Sequence, residues 1–417
     1  MKRSHFATVF SAALAAAFAL GACAPAATSA PGVTQVVVTS PPIEVTKIVA
    51  GTPVTVVITA TPGPTAAPEA TALPAGSITL NGAGATFPDP IYSEWRFAYQ
   101  YVDPSVVINY QAIGSGGGKK AIEDGTVDFA GSDSLLSDAE YAAHPDLQMF
   151  PTVAGAIVAM YNIKEVTSGL ILDGPSLAGI YLGKISTWND PAIVALNPGV
   201  TLPAEKITAV HRSDGSGTTD NFTKFLSDVS PDWKSGPGNG QSVQWPVDKA
   251  GNGVGGKGNA GVAAAVQNTP YSIGYVELSF AVANKIPFAD MINAAGKKVT
   301  ANHDSLLSAM ADYGDAFNDK LTIDRITNGK GAASWPISTY TYMIIGMQQK
   351  ADATFGCTKI SKFLDFVHWA LTDAGAAKRA TALGYATLPD TVKTKVFTKL
   401  ATVQCDGKPV QSTMSGQ

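Results

Sequence analysis

The sequence has few of the residues that bind metal ions or form covalent intermediates. Its five histidines, at positions 5, 144, 211, 303 and 368, are scattered and show no His-Glu-x-x-His or other paired-ligand spacing. Ser115 and Ser216 do not lie in a Gly-x-Ser-x-Gly turn, because Ile113 and Asp214 occupy the position of its first glycine. These absences argue against a metalloenzyme and against a serine hydrolase. We expect no catalytic residue, no metal and no cofactor.

Charged residues are scarce as well. Asp, Glu, Lys and Arg make up 15% of the 417 residues and leave a net charge of −4, whereas hydrophobic residues make up 45%. This composition suits a compact α/β protein and not a disordered chain. No basic stripe is visible, which argues against a nucleic-acid partner. An anion receptor stays compatible with an acidic chain, because backbone dipoles and one arginine can bind an anion.

The apolar run near the N-terminus, Phe10–Leu20, is too short for a comfortable membrane span. Lys2 and Arg3 precede it, so residues 1–22 are typical of a secretory signal peptide. The run ends in Leu-Gly-Ala-Cys, which resembles a bacterial lipobox and predicts a lipid on Cys23. The alternative is an ordinary signal peptide with an incidental cysteine. Lipidation would anchor the protein to the cell membrane, outside the cytoplasm.

Residues 23–76 have the composition of a linker. Pro, Thr, Ala and Val dominate, and no periodic apolar face is present to build a core. We therefore predict a disordered tether between the lipid and a folded part that begins near Ser77. Two valine runs, Gln35–Thr39 and Val54–Ile58, leave local β structure open.

Only three cysteines are present, and Cys23 is assigned to lipid. A disulfide between Cys357 and Cys405 is reasonable in an exported protein and would have a structural role. The alternative is two separate thiols.

Strands and helices alternate along the folded part, as in Val106–Tyr110 followed by a glycine turn and a helix. Such alternation predicts a mostly parallel sheet, whose ligands bind beyond the carboxyl ends of the strands. Four loops can supply that edge, at residues 84–88, 113–118, 131–134 and 212–219.

The last of these loops has the strongest features of an anion site. A strand, Ile207–Val210, runs into a turn rich in Gly, Ser and Thr and then into a helix, so backbone N–H groups and the helix dipole favour an anion. Arg212 adds a guanidinium, and Asp214, two residues on, can orient it. The alternative for this pair is a surface ion pair. His211 should point away from the ligand, since neighbouring strand residues face opposite sides.

Asp133 follows a predicted strand, Val127–Ala130, and most often such an aspartate caps a helix or a turn. Beside an anion, a carboxylate is repulsive unless the ligand carries its own proton. Phosphate near neutral pH does, and sulfate does not. We therefore expect Asp133 to decide which anion binds.

The run Gly251–Gly258 matches Gly-x-Gly-x-x-Gly and nearly matches a nucleotide-binding P-loop. Gly258 stands where the P-loop needs Ser or Thr, and no strand is predicted before the run. We interpret it as a glycine loop that leads into a helix over Asn259–Gln267.

Several motifs together resemble the substrate-binding protein of the bacterial ABC-type phosphate importer. They are LNGAGATFP at 80–88, IGSGGG at 113–118, VDFAGSD at 127–133 and RSDGSGT at 212–218, and the resemblance covers about residues 78–395. It implies an α/β, periplasmic-binding-protein-like (type II) fold with two α/β domains joined by a two-strand hinge. Domain I would comprise residues 77–154 plus 337–417, and domain II residues 155–336.

The resemblance also implies a function and a site. The protein is expected to bind inorganic phosphate with high affinity, as a monomer, and to deliver it to the membrane permease and ATPase subunits of an ABC importer. Asp214 matches the acid that partners the arginine. The implied phosphate ligands are Thr86, Phe87, Ser115, Asp133, Arg212, Ser216, Gly217 and Thr218. The alternatives are a receptor for sulfate or molybdate, an exported phosphatase and a structural lipoprotein.

Overall fold

The computed structural model describes residues 44–49, 52–57, 76–314 and 316–414. The predicted signal peptide and the lipid site at Cys23 lie outside these residues. The chain divides into two compact units, Met1–Thr71 and Ala72–Gln417.

The first unit contains a two-stranded antiparallel hairpin. Its strands are β1 (Glu44–Val49) and β2 (Thr52–Val57), paired from Glu44↔Val57 to Val49↔Thr52. The valine run Val54–Ile58, where the sequence leaves local β structure open, overlaps β2, and valine and threonine residues favour extended backbone. The rest of the predicted tether up to residue 75 lies outside the described residues.

The second unit contains strands that follow the predicted alternation. They are β3 (Ile78–Gly84), β4 (Val106–Ala112), β5 (Phe129–Ser132), β6 (Leu147–Asn162), β7 (Ile171–Asp173), β8 (Thr208–Arg212), β9 (Gly253–Gly256), β10 (Ser272–Glu277), β11 (Asp290–Ile292), β12 (Lys298–Val299), β13 (Ile326–Thr327), β14 (Ile337–Gly346), β15 (Gln348–Gln349), β16 (Ala386–Thr387), β17 (Gln404–Cys405) and β18 (Lys408–Pro409).

The helices bury apolar side chains in a core that they share with these strands. No helix among the described residues is long and apolar enough to cross a membrane. They are α1 (Asp89–Tyr99), α2 (Ser115–Glu123), α3 (Asp138–Ala143), α4 (Gly174–Tyr181), α5 (Pro191–Leu196), α6 (Gly217–Val229), α7 (Pro231–Ser235), α8 (Pro246–Lys249), α9 (Gly258–Asn268), α10 (Leu278–Ala283), α11 (His303–Tyr313), α12 (Thr358–Thr372), α13 (Ala374–Ala382) and α14 (Asp390–Leu400).

The main sheet runs in the order β4-β3-β5-β14-β6-β10-β8-β9, with β13 paired to β14 and β16 paired to β6. Its central strand, β6, is buried over Leu147–Tyr161, which includes the apolar run Val153–Tyr161. Residues 147–156 of β6 pair with β14, and residues 157–162 pair with β10. One strand therefore joins two halves of the sheet, and the change of partner lies between Ala156 and Ile157.

Four helices begin directly beyond the carboxyl ends of parallel strands. The pairs are β3 with α1, β4 with α2, β8 with α6, and β9 with α9. At such positions the first N–H groups of a helix have no partner within the helix and point outward. The antiparallel pairings of β5 with β14, β14 with β6 and β6 with β10 make β8 and β9 run opposite to β3 and β4. The helix N-termini therefore lie at the carboxyl ends of two groups of strands, and the prediction of one shared edge is wrong.

The glycine run Gly251–Gly258 forms regular structure in part, and the prediction of a loop there is wrong. Residues Gly253–Gly256 form β9, which pairs in parallel with Ala209–Arg212 of β8. Strand pairing uses backbone groups only, so a neighbouring strand can hold a sequence whose side chains show no strand pattern. A Cβ on Gly256 would lie 2.7 Å from the backbone nitrogen of Val262, so glycine is needed for α9 to pack here.

Cys357 and Cys405 are joined by a disulfide that links the start of α12 to β17, with their Cα atoms 5.8 Å apart. The bond closes a loop with a sequence separation of 48 residues. It fastens the C-terminal segment to the α12 helix.

Replacing both cysteines by serine is expected to lower the free energy of unfolding by about 2–4 kcal/mol, because the unfolded chain regains the entropy of an open loop. Urea denaturation of the oxidised protein and of the Cys357→Ser/Cys405→Ser variant measures the difference. A reducing agent is the control: it should destabilise the wild type and leave the double variant, which has no disulfide, unchanged. Equal midpoints under oxidising conditions would contradict a stabilising role.

Candidate functional site

The four predicted loops meet at one buried site. The Oγ of Ser115, at the start of α2, accepts hydrogen bonds from the backbone N–H of Asp133 at 3.2 Å and of Gly217 at 3.1 Å. The Oγ1 of Thr86 accepts the N–H of Asn259 at 3.1 Å. All the residues predicted to contact the ligand are buried: Thr86, Phe87, Ser115, Asp133, Arg212, Ser216, Gly217 and Thr218.

Arg212 ends β8, and its guanidinium is held by three hydrogen bonds to two residues. Asp214 binds it with two parallel hydrogen bonds, from Nε to Oδ1 at 2.7 Å and from NH2 to Oδ2 at 2.5 Å, and Asn259 Oδ1 accepts from NH1 at 3.1 Å. Burial would raise the pKa of Asp214, but the hydrogen bonds and charge of Arg212 and the N–H of Gly258 hold it below its ordinary value. The predicted role of Asp214 as the acid that orients the guanidinium fits this geometry.

Asp133 lies at the end of β5 and is only 3% exposed. Its Oδ1 accepts a hydrogen bond from Thr341 at 2.8 Å, and its backbone oxygen accepts one from Asn221 at 2.7 Å. Burial raises the pKa of Asp133 to about 7, although the Thr341 hydrogen bond and the charge of Arg212 oppose the rise. The site therefore holds a carboxyl group that titrates near neutral pH in the electrostatic field of a fixed guanidinium.

The N-terminus of α6 supplies neutral polar groups. Ser216 caps the helix, since its side chain accepts the N–H of Thr219 at 3.0 Å. The Oγ1 of Thr218 and the Nδ2 of Asn259 are buried and have no hydrogen-bond partner among the described residues. Burying a polar group without a partner is costly, so two such groups in one site point to a polar ligand. The N–H of Gly217, a predicted ligand, donates to Ser115.

Phe87 follows β3, and its ring packs edge-on against Tyr385, with the ring centres 6.2 Å apart. Its carbonyl oxygen accepts a hydrogen bond from the Tyr385 hydroxyl at 2.7 Å. Phe87 has no polar side chain, so it can contact a polar ligand only through its backbone.

His211 points away from the site, as predicted. Its Nε2 lies 2.8 Å from Asp248 Oδ1, its ring stacks on Trp245, and Arg212 faces the opposite side of the strand. His211 is therefore not placed to act as a base beside the site.

Sequence reasoning missed three residues of the site: Thr341, Asn221 and Asn259. Thr341 lies in the buried strand β14, where a threonine indicates only a preference for extended backbone. It is also separated from Asp133 by 208 residues. Asn259 directly follows the glycine run Gly251–Gly258, which marked this segment but indicated no role for the asparagine.

The comparisons with known proteins agree with this geometry. The chain matches the PBP superfamily domain over residues 25–373. It is 44% identical over 316 residues to the phosphate-binding protein PstS of Xylella fastidiosa, with 75% of this chain and 82% of that protein covered. It is 38% identical over 334 residues to the phosphate-binding protein PstS 3 of Mycobacterium leprae, with 78% and 86% covered. The chain belongs to the PstS family.

Solved structures share the fold of this PstS family member. A high-affinity periplasmic phosphate-binding protein with bound phosphate has a TM-score of 0.60 and 22% identity, and the match covers 79% of this chain and 96% of that one. The phosphate-binding protein of Stenotrophomonas maltophilia has a TM-score of 0.60 and 21% identity, with 80% and 99% covered. The predicted family resemblance and the α/β, periplasmic-binding-protein-like (type II) fold are confirmed.

Proposed function

We propose that this protein binds inorganic phosphate outside the cytoplasmic membrane and delivers it to the permease of an ABC importer. The names of the PstS relatives support the ligand, and the buried polar site supports binding of a small anion. The same relatives are named as binding proteins and not as enzymes, in keeping with a receptor without catalysis.

The single observation that supports phosphate as the ligand is that Asp133 and Arg212 lie in one buried site. An anion attracted by Arg212 must also tolerate Asp133, whose pKa burial raises to about 7. Phosphate can share a proton with this carboxyl, because it has both donor and acceptor oxygens near neutral pH. Sulfate has acceptor oxygens only, and it would face an ionised Asp133 without a donor.

We further propose that two lobes enclose the ligand, with lobe I formed by residues 77–154 plus 337–417 and lobe II by residues 155–336. The change of partner along β6, between Ala156 and Ile157, lies next to this boundary and supports the division. The hydrogen bond between Ser115 of lobe I and Gly217 of lobe II joins the two sides.

The ligand contacts follow from this arrangement. Arg212 neutralises the anion, and Asp133 exchanges a proton or hydrogen bond with it. The remaining contacts are hydroxyl and backbone N–H groups at helix N-termini, which suit a dehydrated oxyanion. They come from Thr86, Phe87, Ser115, Ser216, Gly217 and Thr218.

The membrane location is also a proposal. Cleavage after residue 22 would leave a lipid-modified Cys23, and residues 24–76 would tether the binding unit to the membrane as a monomer. A tethered receptor stays near its permease, which raises its local concentration there.

Isothermal titration calorimetry with phosphate, sulfate and molybdate tests the function. We expect tight binding of one phosphate and at least a 100-fold weaker response to the other two anions. Preferential binding of sulfate or molybdate would make the protein a different oxyanion receptor. A flat titration with all three would remove the receptor function altogether.

A further inference from the structure

Behind the Phe87 peptide, a buried row of oxygen atoms connects the two proposed lobes. Glu277 ends β10 in lobe II and is fully buried. Its Oε2 lies 2.9 Å from the hydroxyl oxygen of Tyr385 in lobe I, and that oxygen lies 2.7 Å from the carbonyl oxygen of Phe87. The row therefore leads from lobe II to the backbone of a loop that we propose to bind phosphate.

A capping role alone does not account for Glu277. Its Oε2 accepts the N–H of Ser279 at 2.9 Å and so caps α10, and the Ser279 hydroxyl donates to the same oxygen. A cap of this kind needs only a short, exposed polar side chain. Here a carboxyl is removed from water at considerable cost, and its Oε1 has no partner among the described residues.

Two short contacts of the Tyr385 hydroxyl, which has only one proton, favour a proton on Glu277. Tyr385 has one hydroxyl proton, yet it lies within hydrogen-bond distance of two oxygens, Glu277 Oε2 and the Phe87 carbonyl. A carbonyl oxygen cannot donate, so Tyr385 donates to Phe87, and Glu277 must then donate to Tyr385. Burial raises the pKa of Glu277 to about 8, against the hydrogen bonds that Ser279 donates and with the help of the Asp133 charge.

The packing leaves the two rings little freedom to move. A Cβ on Gly155 of β6 would lie 2.5 Å from the Phe87 ring and 3.3 Å from the Tyr385 ring, so both rings press on the bare backbone there. Tyr385 also directly precedes β16, whose Ala386 pairs with Ala154. A hydroxyl held this firmly can transmit a displacement of Glu277 to the Phe87 peptide.

We propose that Glu277 and Tyr385 form a latch between the lobes, which fixes the Phe87 peptide and so positions the phosphate-binding loop when the cleft closes. Both are positioning residues, and the inference rests on the proposed phosphate site. When the lobes separate, Glu277 regains water and its pKa falls towards its ordinary value, so closure takes up a proton. The other titratable groups beside the latch are Asp133 and His303, whose Nδ1 lies 3.2 Å from the Tyr385 carbonyl oxygen.

Calorimetric titration of the full chain with phosphate tests the latch. At pH 6 we expect Tyr385→Phe and Glu277→Ala each to weaken binding by about 10-fold, the effect of one buried hydrogen bond. The double variant should be no weaker than the poorer single variant, because both changes break the same row. Glu277→Gln can still donate to Tyr385 but loses the acceptor for the Ser279 N–H and hydroxyl, so its affinity should lie between those of wild type and Glu277→Ala.

The pH profile supplies a readout that a merely structural role would not change. At pH values between the pKa of Glu277 in the open form and its pKa of about 8 in the closed form, closure consumes a proton. Wild-type affinity therefore falls as the pH rises through this range. Glu277→Gln cannot take up this proton. The affinity of wild type relative to Glu277→Gln should therefore fall by up to about 90-fold from pH 6 to pH 9, with phosphate ionisation common to both proteins.

Tyr313→Phe is the matched control. It also removes a half-buried hydroxyl that donates to a backbone carbonyl, that of Thr327, but away from the row, so phosphate affinity should not change. Wild-type affinity in both Tyr385→Phe and Glu277→Ala would overturn the latch, and so would a flat pH ratio or a Glu277→Gln variant as weak as Glu277→Ala. Absence of phosphate binding by the wild type would instead refute the proposed function.

Discussion

Replacing Arg212 with methionine is expected to weaken phosphate binding by about 3–5 kcal/mol, which is about 150- to 5000-fold. The change removes the positive charge in the site and leaves the Asp214 carboxylate, with 14% of its side chain exposed, without its bidentate partner. An anion entering the site would then meet two acids and no cation. Calorimetric titration with phosphate at pH 7.5 measures the loss.

Two further variants separate charge from geometry. Arg212→Lys keeps the charge but cannot bind both oxygens of Asp214 in parallel, so its affinity should lie between those of wild type and Arg212→Met. Arg325→Met removes a partly exposed arginine that pairs with Asp228 at 2.6 Å, and it should change affinity less than twofold. Binding by Arg212→Met within tenfold of wild type would rule out the proposed role of the guanidinium.

Replacing Asp133 with asparagine is expected to relax the discrimination against sulfate at least about 100-fold at pH 8. In the wild type, the ionised carboxylate faces a dianion that has no proton to offer. Asparagine presents an amide N–H, so the repulsion is replaced by a donor. Competition titrations of phosphate against sulfate measure the ratio of the two affinities.

The pH dependence gives the same test within the wild type. Because the pKa of Asp133 is raised to about 7, the group is neutral below that pH and can donate to sulfate. Sulfate affinity should therefore increase from pH 8 to pH 5 more steeply in the wild type than in Asp133→Asn. Asp228→Asn is the control, as its carboxylate pairs with Arg325 and should leave the ratio unchanged. An unaltered ratio in Asp133→Asn would remove Asp133 from the selection of the anion.

Local patterns in the sequence predicted those parts of the site that follow one another along the chain. The turn after β8 has its arginine, its acid and its helix cap within five residues, so Arg212, Asp214 and Ser216 were identified together. The loops that begin at Thr86 and Ser115 follow apolar strands, and parallel strands bring their carboxyl ends to one edge. The carboxyl ends of β3 and β4 could therefore be placed together from the sequence. The opposite direction of β8 could not, because it depends on the antiparallel pairings of β14 and β10.

Contacts between distant segments could not be predicted in this way. The hydrogen bond from Thr341 to Asp133 depends on β14 lying beside β5, a pairing set by the whole sheet. Glu277 and Tyr385 are separated by 108 residues, and each alone looks like a helix cap or a core aromatic residue. The pairing of β9 likewise comes from its neighbour β8 and not from its own glycines.

The long strand β6 has a consequence for any attempt to divide the protein. Its backbone completes the sheet on both sides, with β14 along residues 147–156 and β10 along residues 157–162. A fragment cut at either end of this strand would present a row of unpaired N–H and C=O groups on an apolar edge, which favours aggregation. Split-protein sensors and domain exchanges should therefore place their junctions in surface loops, and keep β6 intact with its partners on both sides.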